Sequence, residues 1–330
     1  MSADALSEQW LIDVVTAAVP VPSSPEGPGD DAALVRFPPA GAVVTTDALV
    51  EGVHFLRAHP AEALGWKALA VNLSDVAAMG ARPTAFLLTA GVPDDLPAAW
   101  WRAFAAGLGA CARAAGTALV GGDIVRSPLG LTLNVVAWGE APADGRLLTR
   151  AGGRPGDVLL ARGGLGRSAL GWRRWEAIAG PGWAPGGLHG DLASDPALRA
   201  HLRPEPDLDA GPRALALGAR AGMDLSDGLA TDLPRLARAS GVALVVDLER
   251  LPDDPVCAEL SAEERAAGGE DYGLVVLAPP DAASALEAAG FAAIGHAVES
   301  SAQPGGAPVL WRRAGRAVTI PRAFTHFAGG

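Results

Sequence analysis

Nine carboxylates of this sequence fall in six short segments, most of them where an apolar, strand-like run meets a turn. They are Asp30, Asp31, Asp47, Asp75, Asp123, Asp224, Asp227, Glu270 and Asp271. Each alone has an ordinary explanation, because Asp-Gly pairs form turns and Asp caps helices. Together, two carboxylates about 5 Å apart repel by roughly 3 kcal/mol at an effective dielectric constant near 20. A fold that gathers them therefore needs cations, and all-oxygen ligands favour Mg²⁺ over zinc.

Asp75 is the hardest of these carboxylates to explain by structure alone. It lies in AVNLSDVAAMG, an otherwise apolar helical segment, where an unpaired charge is costly. Lys67, the one lysine of the chain, stands eight residues earlier, which is beyond the usual helical pairing distance. A metal ion is therefore the better predicted partner. Lys67 itself lies in LGWKALA, which is not a P-loop pattern, so a Walker-type lysine is excluded.

Glycines beside the acids indicate a phosphate ligand. Gly122 precedes Asp123 and Gly269 precedes Glu270, so backbone N–H groups could approach phosphate oxygens at both places. Arg150 would suit a phosphate clamp by charge and forked shape, although a surface arginine explains it equally well. Carboxylates that hold Mg²⁺ on a polyphosphate are typical of phosphoryl transfer.

Composition excludes several classes of protein. The chain has 330 residues, 49% hydrophobic and 19% charged, and no apolar run approaches the roughly 18 residues of a membrane span. The net charge of −11 argues against a nucleic-acid partner, which would need basic stripes. Cys111 and Cys257 fit neither a disulfide framework nor a zinc spacing. We identify no secretory signal and expect a cytoplasmic protein without a membrane partner.

Strand and helix patterns alternate along the chain and predict two α/β or α+β domains, 1–147 and 148–330. Strands are predicted at 32–37, 42–47, 117–120, 131–139, 156–161 and 242–248. Helices are predicted at 4–18, 61–79, 97–115 and 229–240, and the second of these is apolar nearly all round, which implies burial. The stretch 171–212 is rich in Gly, Pro and Trp and predicts irregular structure or short helices.

Seven segments, in this order and spacing, resemble the thiamine-monophosphate kinase family: GPGDDAALV, TTDALVEGVHF, KALAVNLSDVAAMGARP, LVGGD, HLRPEP, MDLSDGLATDL and GGEDY. The resemblance runs from about residue 27 to 276, with a shorter match at THF near the C-terminus. It implies the two-domain, aminoimidazole ribonucleotide synthetase-like α/β (α+β) fold. It also implies a homodimer whose N-terminal domains build a shared β-barrel. The implied activity is ATP-dependent phosphorylation of thiamine monophosphate to thiamine diphosphate, with several Mg²⁺ ions.

The resemblance also implies roles for particular residues. The implied Mg²⁺ ligands are Asp30, Thr45, Thr46, Asp47, Asp75, Asp123, Asp224 and Asp227. The implied ATP contacts are Gly122, Arg150 and Ser226, and the implied thiamine contacts are His54, Glu270 and Phe327. No side chain is expected to act as a catalytic base or nucleophile, because the accepting phosphate monoester is already an oxyanion. Several positions depart from the family pattern: Gly273 replaces an acid, Pro28 replaces an apolar residue, and IVRS follows LVGGD in place of a Thr-rich turn.

Two other functions stay open at this point. One is a different ATP-dependent synthetase of the same superfamily, which would form a phosphorylated intermediate. The other is a non-catalytic sensor of nucleotide or thiamine phosphate that has kept the fold. Intact acids in all six segments favour an enzyme, because a sensor could lose several of them.

Overall fold

The computed structural model describes residues 7–23, 26–28, 32–302 and 307–321. The elements of the first half are α1 (Glu8–Ala18), β1 (Ala42–Val50), α2 (Ala61–Ala78), β2 (Arg82–Val92), α3 (Ala98–Ala115), β3 (Ala118–Arg126) and β4 (Thr132–Glu140). Those of the second half are β5 (Val158–Arg162), α4 (Arg167–Ile178), α5 (Asp191–Ser194), α6 (Pro196–Leu202), α7 (Ala210–Ala216), β6 (Ala221–Leu225), α8 (Leu229–Ser240), β7 (Val242–Asp247), α9 (Ala262–Ala267), β8 (Gly273–Ala278), α10 (Pro280–Ala288), β9 (Ala292–Glu299), β10 (Val309–Arg313) and β11 (Arg316–Val318).

The first half forms a four-stranded sheet with helices packed on it. Its strand order is β1-β4-β2-β3, with β2 and β3 parallel and the other neighbours antiparallel. Helices α2 and α3 pack together against the sheet, over a core in which the rings of Trp100, Trp101 and Phe104 stack at 5.0 to 6.5 Å. Within the described ranges the sheet stays open, with β1 and β3 as its edges.

The second half forms a seven-stranded mixed sheet in the order β11-β10-β7-β9-β5-β8-β6. Successive side chains of β5 face opposite sides, as a strand requires, so Leu159 joins one core and Leu160 another. The first core includes Leu233 of α8 and the second includes Leu286 of α10. The sheet is therefore covered on both faces. The predicted domain boundary at 147/148 lies in the segment between β4 and β5.

Helix α2 is buried because it lies between the two halves. It contacts α3 and the first sheet, and also β6 and α7 of the second half. The prediction of a buried helix at 61–79 is confirmed by this placement. Amides of its first turn form hydrogen bonds with carbonyl groups of the Trp-rich stretch 171–212. The amide of Ala61 donates to the carbonyl of Ala184, and the amide of Glu62 donates to the carbonyl of Gly186, both at 3.1 Å. These bonds satisfy helix amides that Pro60 cannot cap.

The stretch 171–212 also holds α2 and its surroundings by aromatic contacts. Trp183 packs edge-on against Trp100 at 5.3 Å. The guanidinium of Arg203 lies 3.6 Å above the ring of Trp66, and the indole N–H of Trp66 donates to the carbonyl of Pro204 at 2.7 Å. The stretch contains the C-terminal part of α4, the short helices α5 and α6 and the start of α7, so short helices with irregular connections were predicted correctly.

One strand prediction is wrong, and one strand was not predicted. Residues 32–37 form no strand, because they pair with no strand among the described residues, and Leu34 and Phe37 are 42% and 58% exposed. Strand β2 was not predicted; it contains Pro83, a residue type that is rare inside central strands. The structure accommodates Pro83 near the start of β2, where the register with β4 shifts between Pro83 and Ala85.

No helix in the described ranges is long and apolar enough to cross a membrane.

Candidate functional site

Strand β1 presents two of the predicted residues to helix α2. The Thr45 hydroxyl donates to Asp75 Oδ2 at 2.6 Å. Two residues on, the backbone amide of Asp47 donates to Asn72 Oδ1 at 2.9 Å. Since residues two apart on a strand share one face, Thr45 and Asp47 both face the polar side of α2. The structure thus brings Thr45, Asp47 and Asp75 together.

The second half adds Asp224, at the end of β6. This side chain is only 5% exposed and accepts a hydrogen bond from the Ser74 hydroxyl of α2 at 3.0 Å. Ser74 and Asp75 are adjacent, so α2 joins the carboxylates of both halves. We call Asp47, Asp75 and Asp224 the acidic cluster.

Electrostatics show how closely these three carboxylates interact. Burial, followed by the charges of Asp75 and Asp227, raises the pKa of Asp47 to about 6. Burial, followed by the charge of Asp75, holds the pKa of Asp224 well above its ordinary value. Burial also raises the pKa of Asp75, although the Thr45 hydrogen bond and the Arg150 charge oppose that rise.

The acidic cluster suits a hard divalent cation in its chemistry. All its ligand atoms are oxygens, which Mg²⁺ prefers, and in the described part of the chain none of the three carboxylates forms an ion pair with an arginine or lysine. Nevertheless, no group of three or more His, Cys, Asp or Glu among the described residues could hold a metal ion as placed. The residues therefore fit magnesium in type, and the predicted ligand set stays a prediction.

The raised pKa values predict how stability depends on pH. An aspartate such as Asp47, whose pKa is near 6 in the folded chain and near 3.9 when unfolded, destabilises the fold progressively as pH rises between these values, by up to about 3 kcal/mol. Compared with Asp47→Asn, which lacks this titration, we expect the metal-free wild type to lose more Tm, or gain less, between pH 5.5 and pH 8. Mg²⁺ should then raise the Tm more at pH 8, where the carboxylates are ionised.

Thermal melts in EDTA and in excess Mg²⁺, at both pH values, measure this effect. Asp47→Asn is the informative control, because it should flatten the pH dependence of the metal-free Tm and reduce the Mg²⁺ shift. An equal Mg²⁺ shift at both pH values would contradict a site built from these carboxylates.

The LSDG segment after β6 and the GGEDY segment before β8 contact each other through their backbones. The amide of Glu270 donates to the carbonyl of Ser226 at 2.6 Å, and the amide of Tyr272 to that of Leu225 at 2.9 Å. Gly228 has φ +90°, and a Cβ placed there would lie 2.2 Å from the carbonyl oxygen of Gly268. Only glycine allows this approach. Ser226 and Glu270, predicted to contact different substrates, are thus neighbours.

Glu270 is held by two side chains that sequence reasoning did not identify. Its carboxylate lies 3.0 Å from Lys67 Nζ and 3.2 Å from His201 Nδ1. Burial alone would raise its pKa, but the Lys67 charge and His201 hold that pKa well below the usual range. The backbone of Glu270 is in the left-handed region, at φ +61°, which costs a non-glycine residue roughly 1–2 kcal/mol.

Asp271 and Tyr272, the two residues after Glu270, lie beside the site. The Asp271 carboxylate accepts from the amides of Gly166 at 2.5 Å and Ser168 at 2.9 Å, so it caps α4, and burial raises its pKa to about 7. Tyr272 is at φ +48° and lines a cavity of about 330 Å³ that Ser74 and Asp224 also line. The cavity therefore adjoins the acidic cluster.

Two predicted metal ligands lie on the opposite face of the first sheet. Thr46 donates to Asn134 Oδ1 at 2.9 Å and to the carbonyl of Val135 at 3.0 Å. Asp123 is exposed on edge strand β3, three strands from β1, which is about 14 Å at ordinary strand spacing. A single chain does not bring Asp123 to the acidic cluster.

Other predicted residues lie nearer to the cluster or have structural partners. Arg150 is exposed and close enough for its charge to act on Asp75. Asp227 forms an ion pair with Arg235 at 2.6 Å. Gly122 is packed so closely that a Cβ would lie 1.9 Å from the carbonyl oxygen of Leu88.

His54 lies in the turn after β1, and its Nδ1 accepts from the Val50 amide at 2.9 Å. Of the remaining predictions, the Mg²⁺ ligand Asp30 and the thiamine contact Phe327 lie outside the described residues.

The sequence contained a signal for Lys67 and His201, which were not predicted as partners of Glu270. Lys67 is the only lysine of the chain and stands in an apolar helix. His201 is the first residue of HLRPEP, one of the segments that resemble the family. The resemblance implied no role for this histidine. Both are almost fully buried, at 0% and 2% exposure. A buried charged residue needs a partner, but sequence spacing alone could not identify it.

Comparison with known proteins agrees with this architecture. Residues 29–141 match the AIR synthase related protein N-terminal domain, and residues 154–303 match the AIR synthase related protein C-terminal domain. Thiamine-monophosphate kinase of Synechococcus elongatus is 36% identical over 338 aligned positions, which cover 98% of this chain and 97% of that protein.

Two solved structures resemble the whole chain. Thiamine-monophosphate kinase from Stenotrophomonas maltophilia K279a has a TM-score of 0.76 and 35% identity, covering 93% of this chain and 96% of that one. A structure of AaThiL complexed with AMPPCP and TMP has a TM-score of 0.74 and 31% identity, covering 99% of both chains.

These matches first define the class: the molecule is a two-domain, mixed α/β protein of the AIR synthase-related fold. Within that class, identity above 30% over nearly the full length of a relative identifies the particular family. The chain belongs to the thiamine-monophosphate kinase family, and the resemblance predicted from its motifs is confirmed.

Proposed function

We propose that this chain transfers the terminal phosphoryl group of ATP to thiamine monophosphate, forming thiamine diphosphate and ADP. The observation that carries the proposal is its similarity, over 99% of both chains, to a structure complexed with AMPPCP, an ATP analogue, and TMP. The acidic cluster supports it, because buried carboxylates near glycine-rich turns suit the binding of a metal-bound polyphosphate.

In this reaction the main role of the side chains is to position the reacting groups. The accepting phosphate is already an oxyanion, so no strong base is required, and the main barrier is the approach of two anions. Asp47, Asp75 and Asp224 would hold Mg²⁺, which supplies neutralising charge when bound. Thr45 fixes one oxygen of Asp75 by its hydrogen bond, and Ser74 fixes one of Asp224. Catalysis is then orientation and preorganised electrostatics.

The other assignments are part of the same proposal. Further Mg²⁺ ligands in this proposal are Asp30, Thr45, Thr46, Asp123 and Asp227. Of these, Thr46 and Asp123 lie on the opposite face of the first sheet, so they would serve a metal position apart from the acidic cluster. ATP contacts are Gly122, Arg150 and Ser226, and thiamine contacts are His54, Glu270 and Phe327. We also retain domains 1–147 and 148–330, a cytoplasmic location, and the expectation that neither nucleic acid nor membrane is a partner.

We further propose that two copies of the chain form a homodimer through the first sheet, closing a shared barrel. The supporting observation is the exposed face of that sheet, where Val44 and Val125 are 58% and 50% exposed. Such apolar surface favours a partner. Sedimentation should give twice the chain mass of 33.3 kDa, and Val44→Glu should shift it toward the monomer; a monomeric wild type would contradict the dimer.

The test of function is an incubation of the purified protein with ATP, Mg²⁺ and thiamine monophosphate, with and without EDTA. We expect thiamine diphosphate and ADP in equal amounts, both abolished by EDTA. ATP turnover without thiamine diphosphate would support a different synthetase of the superfamily. Nucleotide binding without turnover would support the sensor and contradict the proposal.

A further inference from the structure

The buried lysine of α2 has no role in the proposed chemistry. Lys67 is 0% exposed, and its ammonium group contacts the Glu270 carboxylate at 3.0 Å and the carbonyl of His201 at 3.2 Å. These partners come from the GGEDY segment and from α6, both in the second half, whereas Lys67 belongs to the first half. The contact therefore crosses between the two halves of the molecule.

Stability does not explain this lysine. A buried ion pair pays a desolvation penalty that often exceeds its attraction, so replacing both partners by apolar residues of similar volume often leaves a core equally stable. The surroundings of Lys67 in α2 are apolar, with Leu64, Ala68 and Ala70 all at most 2% exposed. A methionine would suit such a helix. What a lysine adds is a fixed position for the Glu270 carboxylate.

Exposure separates the residue that can touch a ligand from those that cannot. The Glu270 side chain is 29% exposed, whereas Lys67 and His201 are at 0% and 2%. Lys67 and His201 each occupy one oxygen of Glu270, and a carboxylate has about four lone-pair sites. Glu270 thus keeps an open side toward solvent, while its two partners lie behind it.

We propose that Lys67 and His201 are positioning residues, which fix the Glu270 carboxylate for thiamine monophosphate and act on the substrate only through it. The inference rests on the proposed function. It also gives α2 a second task, since Lys67 precedes Asp75 by eight residues, about 12 Å along the helix. One rigid helix then sets the separation between the substrate-contacting carboxylate and the acidic cluster.

Steady-state kinetics of Lys67→Met and Lys67→Arg test the proposal. We expect Lys67→Met to raise the KM for thiamine monophosphate at least tenfold and to change the KM for ATP less than twofold. Lys67→Arg keeps the charge and should recover part of the loss. His201→Asn, which keeps a donor near the position of Nδ1, should be milder than His201→Leu, so the histidine series serves if Lys67→Met does not fold.

A matched control separates positioning from folding. Asp157 is 1% exposed and pairs with Arg220 at 2.5 Å, away from the described site, so Asp157→Asn should lower the Tm without changing either KM. If Lys67→Met behaves like Asp157→Asn, the positioning role is overturned. If the wild type itself makes no thiamine diphosphate, the proposed function fails, and this inference fails with it.

Chemical labelling gives a second measurement on the unmodified sequence. Because Lys67 is the only lysine and is fully buried, an amine-reactive reagent can reach it only when the pair with Glu270 opens. Thiamine monophosphate should slow labelling of the Lys67 peptide at least threefold, whereas ATP alone should not. Equal labelling rates with and without thiamine monophosphate would overturn the proposal.

Discussion

Asp75→Asn should lower kcat by about 100-fold or more while leaving the protein folded and, without metal, at least as heat-stable as the wild type. The amide keeps an oxygen that can accept the Thr45 hydrogen bond, so the local geometry persists. It removes one of three mutually repelling charges, and such repulsion amounts to roughly 3 kcal/mol per close pair. It also removes a charge on which the proposed Mg²⁺ binding depends. Loss of a single preorganised electrostatic contact to a transition state costs about 10²–10³-fold in rate, and we expect an effect of that order.

The measurement combines kcat with Tm in EDTA and in Mg²⁺. We expect the metal-induced rise in Tm to shrink in Asp75→Asn, together with the loss of activity. Asp157→Asn is the control, since Asp157 is a buried carboxylate that, unlike Asp75, forms an ion pair with an arginine; this variant should lose stability and keep kcat. Near-normal turnover in Asp75→Asn would remove Asp75 from the proposed metal site.

Local patterns predicted the parts of the fold that depend on local interactions. The apolar run of α2 and the helix 229–240 match the structure closely, because side-chain periodicity determines which face is buried. Strand β2 was not predicted. The shift in register that accommodates Pro83 depends on how β2 pairs with β4, which local sequence does not show. Residues 32–37 show the converse: a strand-like alternation forms no strand where nothing pairs with it.

The acidic cluster was predictable in composition and only partly in geometry. Chemical type indicated that Asp47, Asp75 and Asp224 need a shared cation, and the structure places them within electrostatic range of one another. Sequence could not show that Asp123 lies on a distant strand edge. Nor could it pair Lys67 with Glu270, because that contact depends on how the two halves dock.

Gly228→Ala is the substitution outside the acidic cluster from which we expect the largest loss. At φ +90° alanine pays a backbone penalty of about 1–2 kcal/mol. Its Cβ would also lie 2.2 Å from the carbonyl oxygen of Gly268, so the LSDG and GGEDY segments must separate. The total should reach about 3 kcal/mol or more. Because Ser226 and Glu270 are joined across this contact, activity should fall at least tenfold even well below the Tm.

Gly156→Ala isolates the effect of the close approach from that of the backbone angle. Gly156 has the same φ of +90°, but no atom lies within 4 Å of the position its Cβ would take. It should therefore show the angular penalty alone, as a small drop in Tm, with normal kinetics. If Gly228→Ala and Gly156→Ala lost the same stability and both kept full activity, the contact between the two segments would not position the substrates. A larger loss confined to Gly228→Ala would show that glycine is needed there for the segments to meet.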